Sequence, residues 1–309
     1  MRTRTVIPAA LLLCGCALRH SPTAPEPARR PALDSLFQLD QRRGELVATR
    51  GGVEGTLSAL APNVVFLRAG IQTVYGRDGV HELLSADASS APRGSTWEPL
   101  GGGVSYDLMS AYTFGVTARP AVSSSGIHLE RYIAVWQRTR ANPWQIIAYA
   151  EVEAPAANDV TFSANVVTPP LVAPPPALRE TVASVRGADS LFSDLADRMG
   201  VGFALANTIA PEGVMFGSPQ LVVGPDAARE FSTARPPGTS VTWRPVYAWV
   251  AGSRDLGFTV GESVETGRGP SGAAVQRLGK YLTVWQRQRD GAWKFVVAGG
   301  SSTRAKVER

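Results

Sequence analysis

One pattern occurs twice in this chain without a gap, and it constrains most of what the rest can fold into. Residues 130–153 read ERYIAVWQRTRANPWQIIAYAEVE, and residues 279–302 read GKYLTVWQRQRDGAWKFVVAGGSS. Setting Tyr132 on Tyr281 also sets Val135-Trp136-Gln137-Arg138 on Val284-Trp285-Gln286-Arg287, and Trp144 on Trp293. An ungapped internal match of this kind implies a duplication. In the second copy Tyr281, Thr283, Trp285 and Arg287 share one strand face while Leu282, Val284 and Gln286 share the other, because side chains alternate along a strand. Asp290-Gly291 supplies a turn, and Trp293, Phe295 and Val297 alternate on the return. In the first copy Asn142-Pro143 holds the turn position; Pro143 has no N–H for a ladder, so this hairpin turns differently. Trp and Gln fall on opposite faces in both copies, so one face is expected to pack under helices and the other is available to meet the partner domain.

A chain of 309 residues fits about two domains at roughly 150 residues each. Further landmarks recur in order: Asp34-Ser35-Leu36-Phe37 with Asp189-Ser190-Leu191-Phe192, Ala61-Pro62 with Ala210-Pro211, and Gly76-Arg77-Asp78 with Gly224-Pro225-Asp226. Trp97 then matches Trp243, Asp107-Leu108 matches Asp255-Leu256, and Tyr112-Thr113-Phe114-Gly115 matches Phe258-Thr259-Val260-Gly261. Each half therefore reads helix, strand pair, short helix and several long antiparallel strands, an α+β order. The first domain is expected over 32–155 and the second over 178–303, with prolines at 169–170 and 174–176 marking a linker over 156–177. Leu191, Phe192, Leu195, Met199 and Phe203 recur at near-helical spacing and predict a helix with one packed stripe, capped by Asp189 or Ser190. Gly51-Gly52 predicts a broken or shortened helix in the first copy.

The N-terminus has a basic start, a short apolar run over 6–13 and then Leu13-Cys14-Gly15-Cys16, the order of an export signal too short to span a bilayer. Its end resembles the lipobox of bacterial lipoproteins, which makes 1–15 the signal peptide and Cys16 the acylated first residue; ordinary secretion with two incidental cysteines is the alternative. Ala17 lacks the aspartate that retains such proteins at an inner membrane, so for a Gram-negative source the resemblance implies an anchor on the periplasmic face of the outer membrane. Residues 16–31, rich in Pro, Ala and Arg, read as an extended tether. No cysteine follows Cys16, so the domains hold no disulfide, thiolate metal site or cysteine nucleophile. The composition, 44% hydrophobic and 18% charged, is that of a globular protein. The net charge of +5 falls to +3 once Arg2 and Arg4 leave with the signal, and no clustered basic stripe marks nucleic-acid binding.

Together, the helix, Ala-Pro-x-x-Val, Gly-x-Asp, Trp, Asp-Leu-Gly-Phe-Thr-x-Gly and the repeated hairpin resemble the SnoaL-like, ketosteroid-isomerase-like branch of the nuclear transport factor two-like superfamily. The match is strongest over 255–302 and fainter over 34–153. The resemblance implies two tandem cone-shaped α+β barrels, each a curved antiparallel sheet packed against N-terminal helices, with a pocket that takes a small apolar ligand. Enzyme members use a pocket carboxylate as general base, often an aspartate five residues after the last tryptophan. Here that position holds Ala298 in the second copy and Tyr149 in the first.

General acid–base chemistry needs a buried, tuned group within reach of substrate. The remaining candidate is Glu262, with Tyr112, Tyr247 and Trp249 as candidate pocket-lining residues; Glu130 and Glu151 are comparable acids in the first domain. Each has an ordinary alternative, a solvated glutamate or a core aromatic. His20, His81 and His128 lack metal-ligand spacing, so no metal or other cofactor is expected. Gly101-Gly102-Gly103 and Ser123-Ser124-Ser125-Gly126 read as hairpin loops rather than phosphate or nucleophile loops. The function that follows is a lipid-anchored envelope protein binding a small apolar ligand or an envelope partner, or alternatively an isomerase- or hydrolase-type enzyme using a pocket carboxylate.

Overall fold

The computed structural model describes residues 26–87, 95–120, 127–152, 181–216, 221–233, 238–268 and 272–303. The expected signal 1–15, the lipidation candidate Cys16, the linker 156–177 and the loop 123–126 lie outside these residues. The first half runs α1 (Glu26–Arg50), α2 (Gly52–Leu57), β1 (Leu60–Leu67), β2 (Val74–Tyr75), α3 (Arg77–Ala86), β3 (Thr96–Val104), β4 (Ser110–Pro120), β5 (Ile127–Gln137) and β6 (Gln145–Val152). The second repeats that order as α4 (Val182–Met199), α5 (Val201–Thr208), β7 (Ile209–Phe216), β8 (Leu221–Val223), α6 (Gly224–Thr233), β9 (Ser240–Val250), β10 (Leu256–Arg268), β11 (Ala274–Arg287) and β12 (Trp293–Ser302).

Each half is an α+β unit built on one six-stranded sheet, ordered β2-β1-β6-β5-β4-β3 in the first and β8-β7-β12-β11-β10-β9 in the second. The sheets are open rather than closed barrels, and they are mixed. β1 pairs parallel to β6 and β7 parallel to β12, whereas every other pairing is antiparallel. Parallel neighbours need a long connection, and the four strands between the first and last strand of each sheet provide it.

Several sequence expectations shift in detail. The first helix starts at Glu26, so residues 26–31 are helical rather than part of an extended tether. Pro27 lies among the first four residues, whose N–H groups have no intrahelical partner in any case, and Pro31 forgoes one bond. The break at Gly51 (φ 98°) is matched by one at Gly200 (φ 88°), so the second helix is also interrupted, by a glycine in a backbone region that other residues rarely adopt. Helix α4 buries Val185, Asp189, Ser193 and Ala196. Leu191, Met199 and Phe203, expected on the packed stripe, are 59%, 58% and 46% exposed. Neither Asp189 nor Ser190 is a cap, since the helix starts seven residues earlier at Val182. Gly101-Gly102-Gly103 is buried strand, not loop: a Cβ on Gly102 would lie 2.3 Å from the Tyr112 carbonyl oxygen.

The inner face of each sheet packs on its helices. Leu36, Val64, Phe66, Trp136 and Ile146 form that core in the first half, and Val185, Leu205, Ile209, Trp285 and Phe295 in the second. The outer faces meet each other in a single apolar layer that includes Tyr112, Phe114, Val135, Phe258, Leu282 and Val284. Polar contacts fasten its margin. Tyr106 N–H donates to Asp255 Oδ2 at 2.8 Å, Gly70 N–H donates to the Ser302 carbonyl at 3.0 Å, and Lys280 Nζ donates to the Ile71 carbonyl at 2.7 Å. Arg131, at the repeat position of Lys280, lies with its guanidinium 5.6 Å from the Phe216 ring centre. Leu108 (φ 58°) and Arg254 (φ 63°) take the same place in the two facing turns, which moves the Asp107-Leu108 and Asp255-Leu256 match by two residues.

Gly115 and Gly261 explain themselves by what crosses them. A Cβ at Gly115 would sit 2.2 Å from the Glu98 carbonyl oxygen and 2.8 Å from the Tyr132 ring; at Gly261 it would sit 2.3 Å from the Tyr281 ring. Gly115→Ala is expected to lower stability by about 1–3 kcal/mol, since the obstructing atom is backbone and cannot swing away. Chemical unfolding of the variant beside the parent checks this.

Candidate functional site

Both halves build the same buried hydrogen-bonded chain between helix and sheet. In the first, Trp136 Nε1 donates to Thr113 Oγ1 at 2.9 Å, Thr113 Oγ1 donates to Asp40 Oδ2 at 2.8 Å, and Tyr132 Oη donates to the same oxygen at 2.7 Å. In the second, Trp285 Nε1 donates to Thr259 Oγ1 at 2.8 Å, Thr259 Oγ1 donates to Asp189 Oδ2, and Tyr281 Oη donates to Asp189 Oδ1 at 2.7 Å. The structural register therefore equates Asp189 with Asp40. The repeated Asp-Ser-Leu-Phe motif is six residues out of step, and Asp34 instead forms an exposed ion pair with Arg30 at 3.2 Å. Asp40 and Asp189 are 0% and 1% exposed; burying a carboxylate is costly unless its oxygens are bonded, and the hydroxyls of Tyr and Thr serve that need.

In this register the two halves diverge at the site itself. Phe192 stacks on Trp243 at 4.8 Å between ring centres. The first half has Arg43 in that place, its guanidinium 4.6 Å from the Tyr149 ring centre and 5.2 Å from that of Trp97, and its NH1 3.3 Å from Asp40 Oδ1. Tyr149 in turn occupies the position of Ala298. A long cation and a phenol ring thus fill one interior, while a phenyl ring and a methyl group leave the other open. The second half holds a cavity of about 410 Å³ between Phe192, Leu205, Met215, Trp243, Phe295 and Ala298, with Tyr281 and Thr283 as its inner polar groups. In the first half the corresponding space is about 20 Å³, room for little more than one water, beside Arg43, Trp97 and Tyr149. Glu130 and Glu151 border that remnant, and Glu151 is 3.1 Å from Arg68 Nε.

The charges around the open cavity are already engaged. At its rim Arg277 pairs with Glu265 at 3.1 Å, and Lys280 donates to backbone carbonyls. Both Asp189 oxygens accept hydroxyl donors.

The residues singled out from sequence sit elsewhere. Tyr112, Tyr247 and Trp249 pack in or against the layer between the two sheets, not around the cavity. Glu262 is exposed and bonded to Arg244. The reason is strand parity: Glu262 shares a face with Phe258 and Val260, which meet the other half, whereas Thr259 points inward to Asp189. Only the position of Ala298, noted for its missing acid, lies on the cavity wall. Asp189, Phe192, Trp243 and Tyr281 are what sequence reasoning missed as site residues, although all four stood among the repeated landmarks. His81 is exposed on α3, and among the described residues no group of three acidic, His or Cys side chains is placed to hold a metal ion.

Burial pushes the carboxyls of Asp40, Asp189 and Asp255 above their ordinary range; hydrogen bonds oppose this in all three and Arg43 does so at Asp40, without reversing it. Such groups bind a proton more tightly folded than unfolded. Their contribution favours the fold at acid pH and is lost as pH rises from the unfolded value, near 3.9, through the folded one. The urea midpoint is therefore expected to be higher at pH 4 than at pH 8, with a shallower pH slope in Asp189→Asn.

No family model matches the chain, and no curated protein matches it. Solved structures do match, each over about 40% of the chain. A ketosteroid isomerase-like protein from Erwinia carotovora atroseptica SCRI1043 aligns with 40% of this chain and 98% of its own, at 18% identity and a TM-score of 0.35. An NTF2-like protein with a cystatin-like fold from Novosphingobium aromaticivorans aligns with 40% of this chain and 83% of its own, at 19% identity and a TM-score of 0.33. The hexachlorocyclohexane dehydrochlorinase LinA-type3 from Novosphingobium barchaimii LL02 aligns with 39% of this chain and 84% of its own, at 16% identity and a TM-score of 0.33.

Proposed function

We propose that the second domain binds a small, neutral, apolar molecule inside its sheet, and that the first domain is a structural partner of the same descent. The observation that carries this is the contrast at one repeated position: Phe192 and Ala298 surround about 410 Å³, where Arg43 and Tyr149 leave about 20 Å³. A volume of several hundred cubic ångströms with Phe192, Leu205, Met215, Trp243 and Phe295 in its wall suits a ligand of aromatic or polycyclic size. Neutrality follows from the apolar wall of Phe192, Leu205, Met215, Trp243 and Phe295, which offers a buried charge no hydrogen-bond partner, and from the rim, where Arg277 and Glu265 already pair with each other. Binding is a better reading than general acid–base catalysis, since Asp189 is held by two hydroxyl donors and Glu262 faces away.

The same reading assigns both domains to the SnoaL-like branch, paired through their sheets, and holds the protein in the cell envelope by a lipid on Cys16, at the outer membrane of a Gram-negative source. Solvent extraction of the purified protein followed by mass spectrometry tests the ligand: an apolar compound near one per chain is expected, and a chain that yields none and takes up no apolar dye would end the proposal. Labelling with a radioactive fatty acid, lost in Cys16→Ser, tests the anchor separately.

A further inference from the structure

Leu191, Leu195 and Met199 follow one another at every fourth residue along α4, and Phe203 follows the Gly200 break, in the first turn of α5. Among the described residues, Leu191, Met199 and Phe203 are the most exposed large apolar side chains of the second half, and Leu195 is half-buried. The duplication supplies an internal control for what this face must be. In the register fixed by Asp40 and Asp189, the same positions of the first half are Arg42, Leu46, Arg50 and Glu54, and Arg50 pairs with Glu54 at 2.8 Å. The fold is thus compatible with an ordinary charged surface here, and the second half has exchanged it for an apolar one.

One flank of the line says what covers it. Asp194 and Arg198 stand on the same side of α4, one turn apart. Arg198 Nε reaches only the Asp194 backbone carbonyl, at 3.3 Å, and neither side chain has an ion-pair partner among the described residues. Two such helices laid antiparallel about a twofold axis at Leu195 bring Leu191 onto Met199 of the other copy and Leu195 onto Leu195. Along the flank this places Asp194 within one turn of Arg198 of the other copy, and does so twice, because an isologous interface repeats each contact in reverse.

We propose that a second copy of this chain docks on the α4–α5 face, forming a twofold dimer through helices rather than sheets. An anionic membrane surface is the poorer occupant, because Asp194 beside the line would be repelled by it. The face is small against the roughly 800 Å² per partner of a standard interface, so the dimer dissociates on dilution.

Sedimentation velocity of the full chain over a hundredfold range of concentration tests this. A shift from monomer to dimer mass is expected, abolished by Leu191→Glu, weakened at least tenfold by Arg198→Asp alone, and restored in the Asp194→Arg/Arg198→Asp double variant. All three substitutions lie on the surface, and circular dichroism verifies folding. A monomer at every concentration overturns the proposal, as does a dimer indifferent to Leu191→Glu, or a monomer that binds anionic vesicles through this face.

Discussion

Asp40→Ala is expected to cost about 3–5 kcal/mol of unfolding free energy, because it strands a buried cation. The Arg43 side chain is 2% exposed and Asp40 is the carboxylate bonded to it, at 3.3 Å. The aromatic rings of Tyr149, Trp97 and Tyr132 surround the guanidinium but supply only a weak attraction compared with its lost hydration. Tyr132 and Thr113 also lose their acceptor. Asp189→Ala, which removes the acceptor of two hydroxyls but strands no charge, is expected to cost less, about 1–3 kcal/mol. Urea denaturation of both variants separates the two contributions. The double variant Asp40→Ala/Arg43→Phe, which brings in the phenyl ring of the second domain, should recover most of the loss. If it is no more stable than Asp40→Ala alone, the cost lies in the stranded hydroxyls and not in Arg43.

That comparison also marks where the sequence was readable. The repeated hairpin placed Tyr132 with Tyr281 and Trp136 with Trp285 correctly, and the Thr-x-Gly match placed Thr113 with Thr259 and Gly115 with Gly261. These are large or shape-restricted residues whose role follows from strand period alone. Asp40 was hidden because a carboxylate in the middle of a helix reads as a solvent-facing residue, and because an accidental repeat of Asp-Ser-Leu-Phe offered a false register six residues away. Arg43 was hidden for the same reason: an arginine between Arg42 and Gly44 carries no local sign of burial. Glu262 was misplaced because its face depends on parity along β10, and parity was fixed from sequence only for the hairpin. The exposed line on α4 misled in the opposite way, since helical spacing of apolar residues shows that they share a face but not what that face meets.

Ala298→Tyr is the substitution with the largest expected effect on binding. Ala298 lines the open cavity at the position where Tyr149 fills the first domain, so the variant gives the second domain the occupant that the first already carries. Uptake of a neutral apolar dye such as Nile red should fall more than tenfold. Overpacking a dense core costs about 1–3 kcal/mol, but a ring entering empty space displaces no neighbour, so stability should change by less than that. The reciprocal pair Arg43→Phe/Tyr149→Ala should open the first domain and add a second dye site, at the expense of stability. It removes the partner of Asp40 and creates a cavity, each of which is destabilising by itself. If Ala298→Tyr binds dye as the parent does, the ligand lies outside this cavity, and the contrast between the two domains reflects packing alone. If it loses the dye while the reciprocal pair gains a site, the difference between a filled and an open domain comes down to two side chains on one repeated scaffold.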